Sequence, residues 1–142
     1  MPNIVWSERY SVKVKKLDKQ HMRMAELVNT LNDSINSQED RNSVIEGFTE
    51  LIKYTGDHFS AEEALMKEHG YPSYKKHKKE HKNLINLLRD IGRQFKKESK
   101  SFSDFDYDLA KDWLVIHADW FVVHLSHSDK ELGSFLHKKG IK

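Results

Sequence analysis

Cysteine is absent from all 142 residues, which excludes disulfide scaffolds, thiolate zinc sites, iron–sulfur clusters and cysteine nucleophiles together. Proline occurs twice and glycine six times, so little in the chain interrupts a helix. Long hydrophobic runs are missing as well. The longest, at 113–116 and 120–123, are far too short to cross a membrane, and the charged opening MPNIVWSERYSVKV lacks the apolar stretch of a secretory signal. The expectation is a cytoplasmic protein with no membrane association. Nor is one sign of charge in surplus: 24 Lys and Arg face 22 Asp and Glu, too even a balance for a protein that grips phosphate backbones, so no nucleic-acid partner is expected. The length fits one domain, 1–142. What the chain does have is histidine, nine in all, and imidazole chemistry stays open.

The apolar residues fall at helical spacing. Leu17, His21, Met24, Val28, Leu31 and Ile35 alternate steps of four and three, one face of an α-helix. A second stripe runs Val44, Phe48, Leu51, Thr55, His58, Glu62, Leu65 and meets a stop signal at Gly70-Tyr71-Pro72. The third is His77, His81, Leu84, Leu88, Ile91, Phe95, dissolving in the Lys- and Ser-rich stretch 96–103. The fourth is Leu109, Trp113, His117, Trp120, His124, with Asp104 or Asp106 as its cap. These patterns predict an all-α, up-down-up-down four-helix bundle with helices at about 18–37, 42–68, 73–97 and 105–127. An N-terminal non-helical arm precedes it, with Trp6, Tyr10, Val12 and Val14 lying against the bundle, and a short C-terminal helix follows.

Imidazoles and carboxylates occupy positions that the stripes assign to the core. An unpartnered buried imidazole or carboxylate costs several kcal/mol, so one of them is readily a satisfied core residue but so many together require a shared purpose. His58 and Glu62 lie four apart, as do His77 and His81, so each pair projects from adjacent turns and can meet one small object. With His21 and His124, every helix offers a ligand toward the axis. Asp129 stands five residues beyond His124, about 140° around an ideal helix, and can join the others only if the helix unwinds or turns near 126–128. Its other role would be to cap a helix starting at Lys130.

In this arrangement the chain resembles the hemerythrin family, specifically its single-domain bacterial members. WSERYSVKVKKLDKQH resembles the family's opening segment, ending in Asp-x-Gln-His with His21; HFSAEE resembles its His-x-x-x-Glu, HKKEH its His-x-x-x-His, and HLSHSD its His-x-x-x-x-Asp. The resemblance implies two iron ions (Fe2+/Fe3+) joined by a bridging oxo or hydroxo group. His77, His81 and His124 would ligate one iron and His21 and His58 the other, with Glu62 and Asp129 as bridging carboxylates. Five imidazoles, two bridges and one shared oxygen fill all but one position of two octahedral ions. By the resemblance, the open position belongs to the iron held by His21 and His58. The implied function is reversible O2 binding for storage, delivery or sensing, with azide or nitric oxide as further ligands. The alternative is a di-iron oxidoreductase acting on O2, peroxide or nitric oxide with an external electron donor.

Ferritin-like di-iron proteins repeat a Glu-x-x-His pair and add two further Glu. No Glu here has a His three residues later, and fewer anionic ligands favour binding over oxygenation, so an enzyme is not expected. Met24, Phe59, Trp113, His117 and Trp120 are candidates to line a dry pocket around the open position. His117 is the undecided member, readable either as a packed core residue or as a group touching the ligand. His69 and His137 fall at helix ends, where terminal carbonyls accept from imidazoles; His127 is off the ligand face, exposed or supporting. The run Lys75, Lys76, Lys78, Lys79, Lys82 falls outside once His77 and His81 face inward. Lys13 stands where the family's arm often has glycine.

Overall fold

A computed structural model of the chain describes residues 3–98 and 105–142, with the backbone alone for 95–98. Helix α1 spans Lys15–Asn36, α2 Arg41–Glu68, α3 Tyr74–Glu98 and α4 Tyr107–His124; a π turn, Leu125–Asp129, leads into α5, Lys130–Lys138. Helix α1 packs on α2 and α4, and α3 packs on the same two, which closes the up-down-up-down bundle.

The buried faces follow the sequence stripes with two adjustments. In α2 the stripe ends on fully buried Met66 while Leu65 is partly exposed, and in α4 the core face is Ala110, Leu114, His117 and Phe121, with Leu109 and Trp120 at its edges. Both shifts have one cause: a stripe drawn at alternating threes and fours drifts from a true 3.6-residue period over five turns. The fourth helix opens at Asp106, whose side chain accepts from Leu109 N. Helix α3 continues to Glu98, through the first residues of the stretch where its pattern dissolves. The rest of that stretch, the Asp104 cap and the side chain of Phe95 lie outside the described residues.

The arm does lie against the bundle. Tyr10, Val12 and Val14 are buried and Trp6 packs partly buried beside them. Helix α1 begins at Lys15, earlier than the apolar stripe suggests, because Asp18 in its first turn holds the incoming strand: Val12 N donates to Oδ1 at 2.9 Å and Ser11 Oγ to Oδ2 at 2.6 Å. Further out, Ile4 exchanges backbone bonds with the Asn29 amide at 2.7 and 2.9 Å. The C-terminal helix closes on the arm from the other side. Gly133 lies so near Val12 that a Cβ there would run into the Val12 carbonyl oxygen.

Between Ser11 and Val14 the chain turns through Lys13, whose φ is +63°. A side chain in the left-handed region costs on the order of 1 kcal/mol, which accounts for the glycine that the resemblance associates with this place. Lys13→Gly should therefore raise stability by up to about 1 kcal/mol, roughly 3 °C in melting temperature for a domain of this size. The lost ion pair with Glu8 is solvent-exposed and worth little. Thermal unfolding of the variant beside the parent checks this.

Candidate metal centre

Each helix delivers its ligand-type residues to one buried layer near one end of the bundle. His21 comes from α1, His58 and Glu62 from α2, His77 and His81 from α3, His124 from the last turn of α4, and Asp129 from the π turn. All seven are buried, His21 and Glu62 completely. Asp129 reaches the layer because Lys130 N bonds back to the carbonyl of Leu125, five residues earlier. That wide turn lets five residues close one circuit, and Asp129 arrives above His124 instead of on the far side. The unwinding at 126–128 that the spacing demanded is present. The capping role for the Asp129 side chain is not, since the residue's backbone is helical and its side chain makes no cap bond.

Glu62 and Asp129 stand between two groups of imidazoles, one oxygen toward each. Glu62 Oε1 is 2.7 Å from His77 Nε2 and 3.2 Å from His81 Nε2, while its Oε2 is 2.9 Å from His58 Nε2 and 3.6 Å from His21 Nε2. Asp129 Oδ1 is 3.1 Å from His77 and 3.0 Å from His124, and Oδ2 is 3.2 Å from His21. The result is two overlapping donor sets, in each of which the donor atoms lie within 4.8 Å of one another: Glu62, His77, His81, His124 and Asp129 in one, His21, His58, Glu62 and Asp129 in the other.

These atoms suit cations better than one another. Both Glu62 oxygens and Asp129 Oδ1 are buried without a hydrogen bond, despite imidazole nitrogens close by. His21 and His58 bring their Nε2 atoms within 3.1 Å, His77 and His124 within 3.1 Å, and His81 and His124 within 3.2 Å. Lone pairs held so close need a proton or a metal between them. In the cation-free protein, protons serve. Burial disfavours charge on His21 and His77, yet the Asp129 and Glu62 carboxylates outweigh it and raise them to about 9 and about 10. Burial likewise opposes the ionised carboxylates, and the surrounding imidazoles hold both below their ordinary range. Divalent cations would replace those protons. An imidazole and carboxylate donor set with no thiolate fits iron, as it fits other borderline cations.

Around this layer runs a ring of supports that the sequence stripes did not reveal. Gln20, beside His21, has its Oε1 2.6 Å from Nδ1 of His58 on the next helix. Glu63, beside Glu62, accepts from His81 Nδ1 at 2.9 Å. Glu80, beside His81, has Oε2 3.7 Å from His124 Nδ1 and is itself held by the Ser128 hydroxyl at 2.7 Å. Each lies next to its own helix's ligand in the chain and serves the ligand of the following helix. A polar residue flanking an inward ligand was the available signal. At His21 the ring is open, for its Nδ1 has no partner.

Aromatic rings flank the imidazoles. Phe59 stacks on His81 with centroids 3.8 Å apart, Trp120 stacks on His124 at 4.4 Å, and Phe121 sets its ring across His21 at 6.0 Å. Met24 is fully buried one turn along α1 from His21. Trp113 is eleven residues before His124, which puts it about 16 Å away along α4, and His117 is about two turns before His124, against Thr55, itself one turn from His58 on α2. Phe121, absent from the sequence expectation, is nearer than either. Among the other histidines, His127 is exposed and donates to Val123 O at 2.9 Å, and His137 reaches Lys13 O of the arm at 3.3 Å. His69 closes α2 near Glu68. Lys75, Lys76, Lys78, Lys79 and Lys82 are all exposed, and among the described residues no helix is long and apolar enough to cross a membrane.

Comparison with known proteins agrees with this geometry. Residues 12–136 match the hemerythrin HHE cation binding domain. The bacteriohemerythrin of Pseudomonas paraeruginosa is 31% identical over 117 residues, covering 82% of this chain and 75% of that protein. That of Stenotrophomonas maltophilia is 30% identical over 139 residues, covering 92% and 90%. The myohemerythrin of Theromyzon tessulatum is 30% identical, covering 79% and 82%. The crystal structure of a wild-type hemerythrin superposes with a TM-score of 0.79 at 26% identity, covering 92% of this chain and 95% of that one. With the family's domain spanning nearly the whole sequence and its cation-binding residue types gathered in one buried layer, the chain belongs to the hemerythrin family.

Proposed function

We propose that this protein binds O2 reversibly at a pair of iron ions held by His21, His58, His77, His81, His124, Glu62 and Asp129, with Glu62 and Asp129 bridging. The observation that carries this reading is the inequality of the two donor sets, five residues around one position and four around the other, sharing both carboxylates. With a shared oxo or hydroxo group added, the residues of the first set would fill the surroundings of an octahedral ion and those of the second would leave room for one small ligand. A bound iron pair would supply the electrons that reversible O2 binding requires.

The chain's own residues make the exchange reversible. Phe121 covers the His21 ring, and Phe59 lies 5.9 Å from His58, so the four-donor position sits among apolar groups that exclude water and external acids. The stacked Phe59 and Trp120 hold the planes of His81 and His124, and the Nδ1 supports fix which nitrogen faces the metal. Iron per chain, with absorption spectra of the reduced protein before and after air, tests the proposal. Two irons and a visible charge-transfer band that comes with air and goes when O2 is removed are expected. A single iron, a preference for zinc, or a band that does not reverse overturns it.

A further inference from the structure

The supports at the Nδ1 atoms are not shared equally. On the five-donor side, His81 donates to a carboxylate, Glu63, and His124 has the carboxylate of Glu80 near its Nδ1. On the four-donor side, His58 has only the neutral amide oxygen of Gln20, and His21 Nδ1 has no partner. An imidazole that donates to a carboxylate gains negative character at its other nitrogen and binds a cation more strongly. An amide does this weakly, and an unpartnered N–H does not do it at all. The asymmetry in the supports thus adds to the asymmetry in donor number.

We infer that Glu63 and Glu80 are positioning residues that make the position of His77, His81 and His124 the tighter of the two, so the centre fills in order and holds one divalent cation there before the second enters beside His21 and His58. This rests on the two-metal reading above. Glu63 and Glu80 are themselves only partly buried, with side-chain exposures of 22% and 35%. Both already stand at those Nδ1 atoms in the cation-free protein, so the preference is present before any cation arrives. Lys78 pairs at 4.0 Å with the other oxygen, Oε1, from a largely exposed position, which leaves Oε2 to His81.

The cation-free full-length protein, titrated with Co(II) and followed by its absorption and by calorimetry, tests the order. Two resolved steps are expected. Glu63→Gln, which keeps size and shape, should weaken the first step by about 10- to 100-fold and leave the second nearly unchanged, with a smaller effect for Glu80→Gln. His58→Ala should keep the tight first step and lose the second, while His81→Ala should lose the tight step. Two cations entering in one step, or a Glu63→Gln protein whose first step is unchanged, overturns the loading order while the two-metal centre stands. A protein that takes up fewer than two Co(II) ions overturns the two-metal reading, and the order with it.

Discussion

Glu62→Gln is expected to cost the protein at least one of the two irons proposed for it. Glutamine keeps the length and volume of Glu62 and keeps one acceptor oxygen, but replaces the other with an amide N–H2 that cannot ligate. In the native layer both oxygens are committed, Oε1 toward His77 and His81 and Oε2 toward His58 and His21. One of the two donor sets must therefore lose a member, and the other the partner that held the metals together. Glu62→Ala should go further and leave less than one iron per chain, since both sets include Glu62. Stability follows occupancy. A ligand present at a thousandfold above its dissociation constant adds about 4 kcal/mol to the folded state, so adding iron should shift the wild-type unfolding curve strongly and leave that of Glu62→Ala in place. Metal analysis with thermal unfolding, with and without iron, measures both effects. Two irons and an unaltered spectrum in the glutamine variant would exclude Glu62 as a bridge.

His117→Leu should make the protein more stable at neutral pH, and more so in acid. The Thr55 hydroxyl has one proton, and its 2.7 Å contact with Leu51 O uses it. At 3.3 Å, His117 Nε2–H then donates to Thr55 Oγ1, which leaves Nδ1 as a buried acceptor with no partner. Such a group costs about 1–3 kcal/mol, and leucine of similar bulk removes it from a layer lined by Leu51, Leu114 and Phe121 at neighbouring turns. Burial also pushes the imidazole down to about 4, against about 6.5 in the unfolded chain. Between those two values the unfolded state binds the proton and the folded state does not. Stability is therefore complete above the upper value and falls as pH drops toward the lower, by about 1.4 kcal/mol per unit. The leucine variant lacks this loss, so its advantage should widen by about 2 kcal/mol between pH 7.5 and pH 5. Denaturant unfolding of both cation-free proteins at the two pH values reads it directly, the common contribution of the metal ligands cancelling in the difference. Equal O2 release and autoxidation rates in the two loaded proteins would leave His117 with a packing role alone. A leucine variant less stable than the parent at neutral pH would show instead that the imidazole is satisfied.

The bundle was legible in the sequence because its helices bury one face each, and a 3.6-residue stripe is the direct print of that burial. The inward imidazoles were legible for the same reason, as polar letters in an apolar stripe. Gln20, Glu63 and Glu80 left no such print. They sit one residue off the stripe, where a charged residue is ordinary, and acquire their partners only when the neighbouring helix is in place. Phe121 and Trp120 stand about 100° apart on α4, and a stripe through Trp120, which stacks on His124, leaves Phe121, which faces His21, off its line. Lys13 could be recognised as a departure from glycine, but its φ follows from the closure of the arm on Asp18, a contact made outside any periodic element. The break at 126–128 is the reverse case. It was demanded by the chemistry of Asp129 against the period of the helix, and the backbone shows it.

That break also ties together the two ends of the chain. Asp129 closes the π turn, α5 starts at the next residue, and α5 is packed on the arm through Gly133 and Val12. As the proposed bridge between two cation positions, Asp129 would make the docking of α5, and through it the seating of the arm, part of the same equilibrium as cation binding. Local opening at either terminus and loss of a cation from the core would then be thermodynamically coupled. A change at the surface, where the arm meets the last helix, would be felt at a centre buried among four other helices.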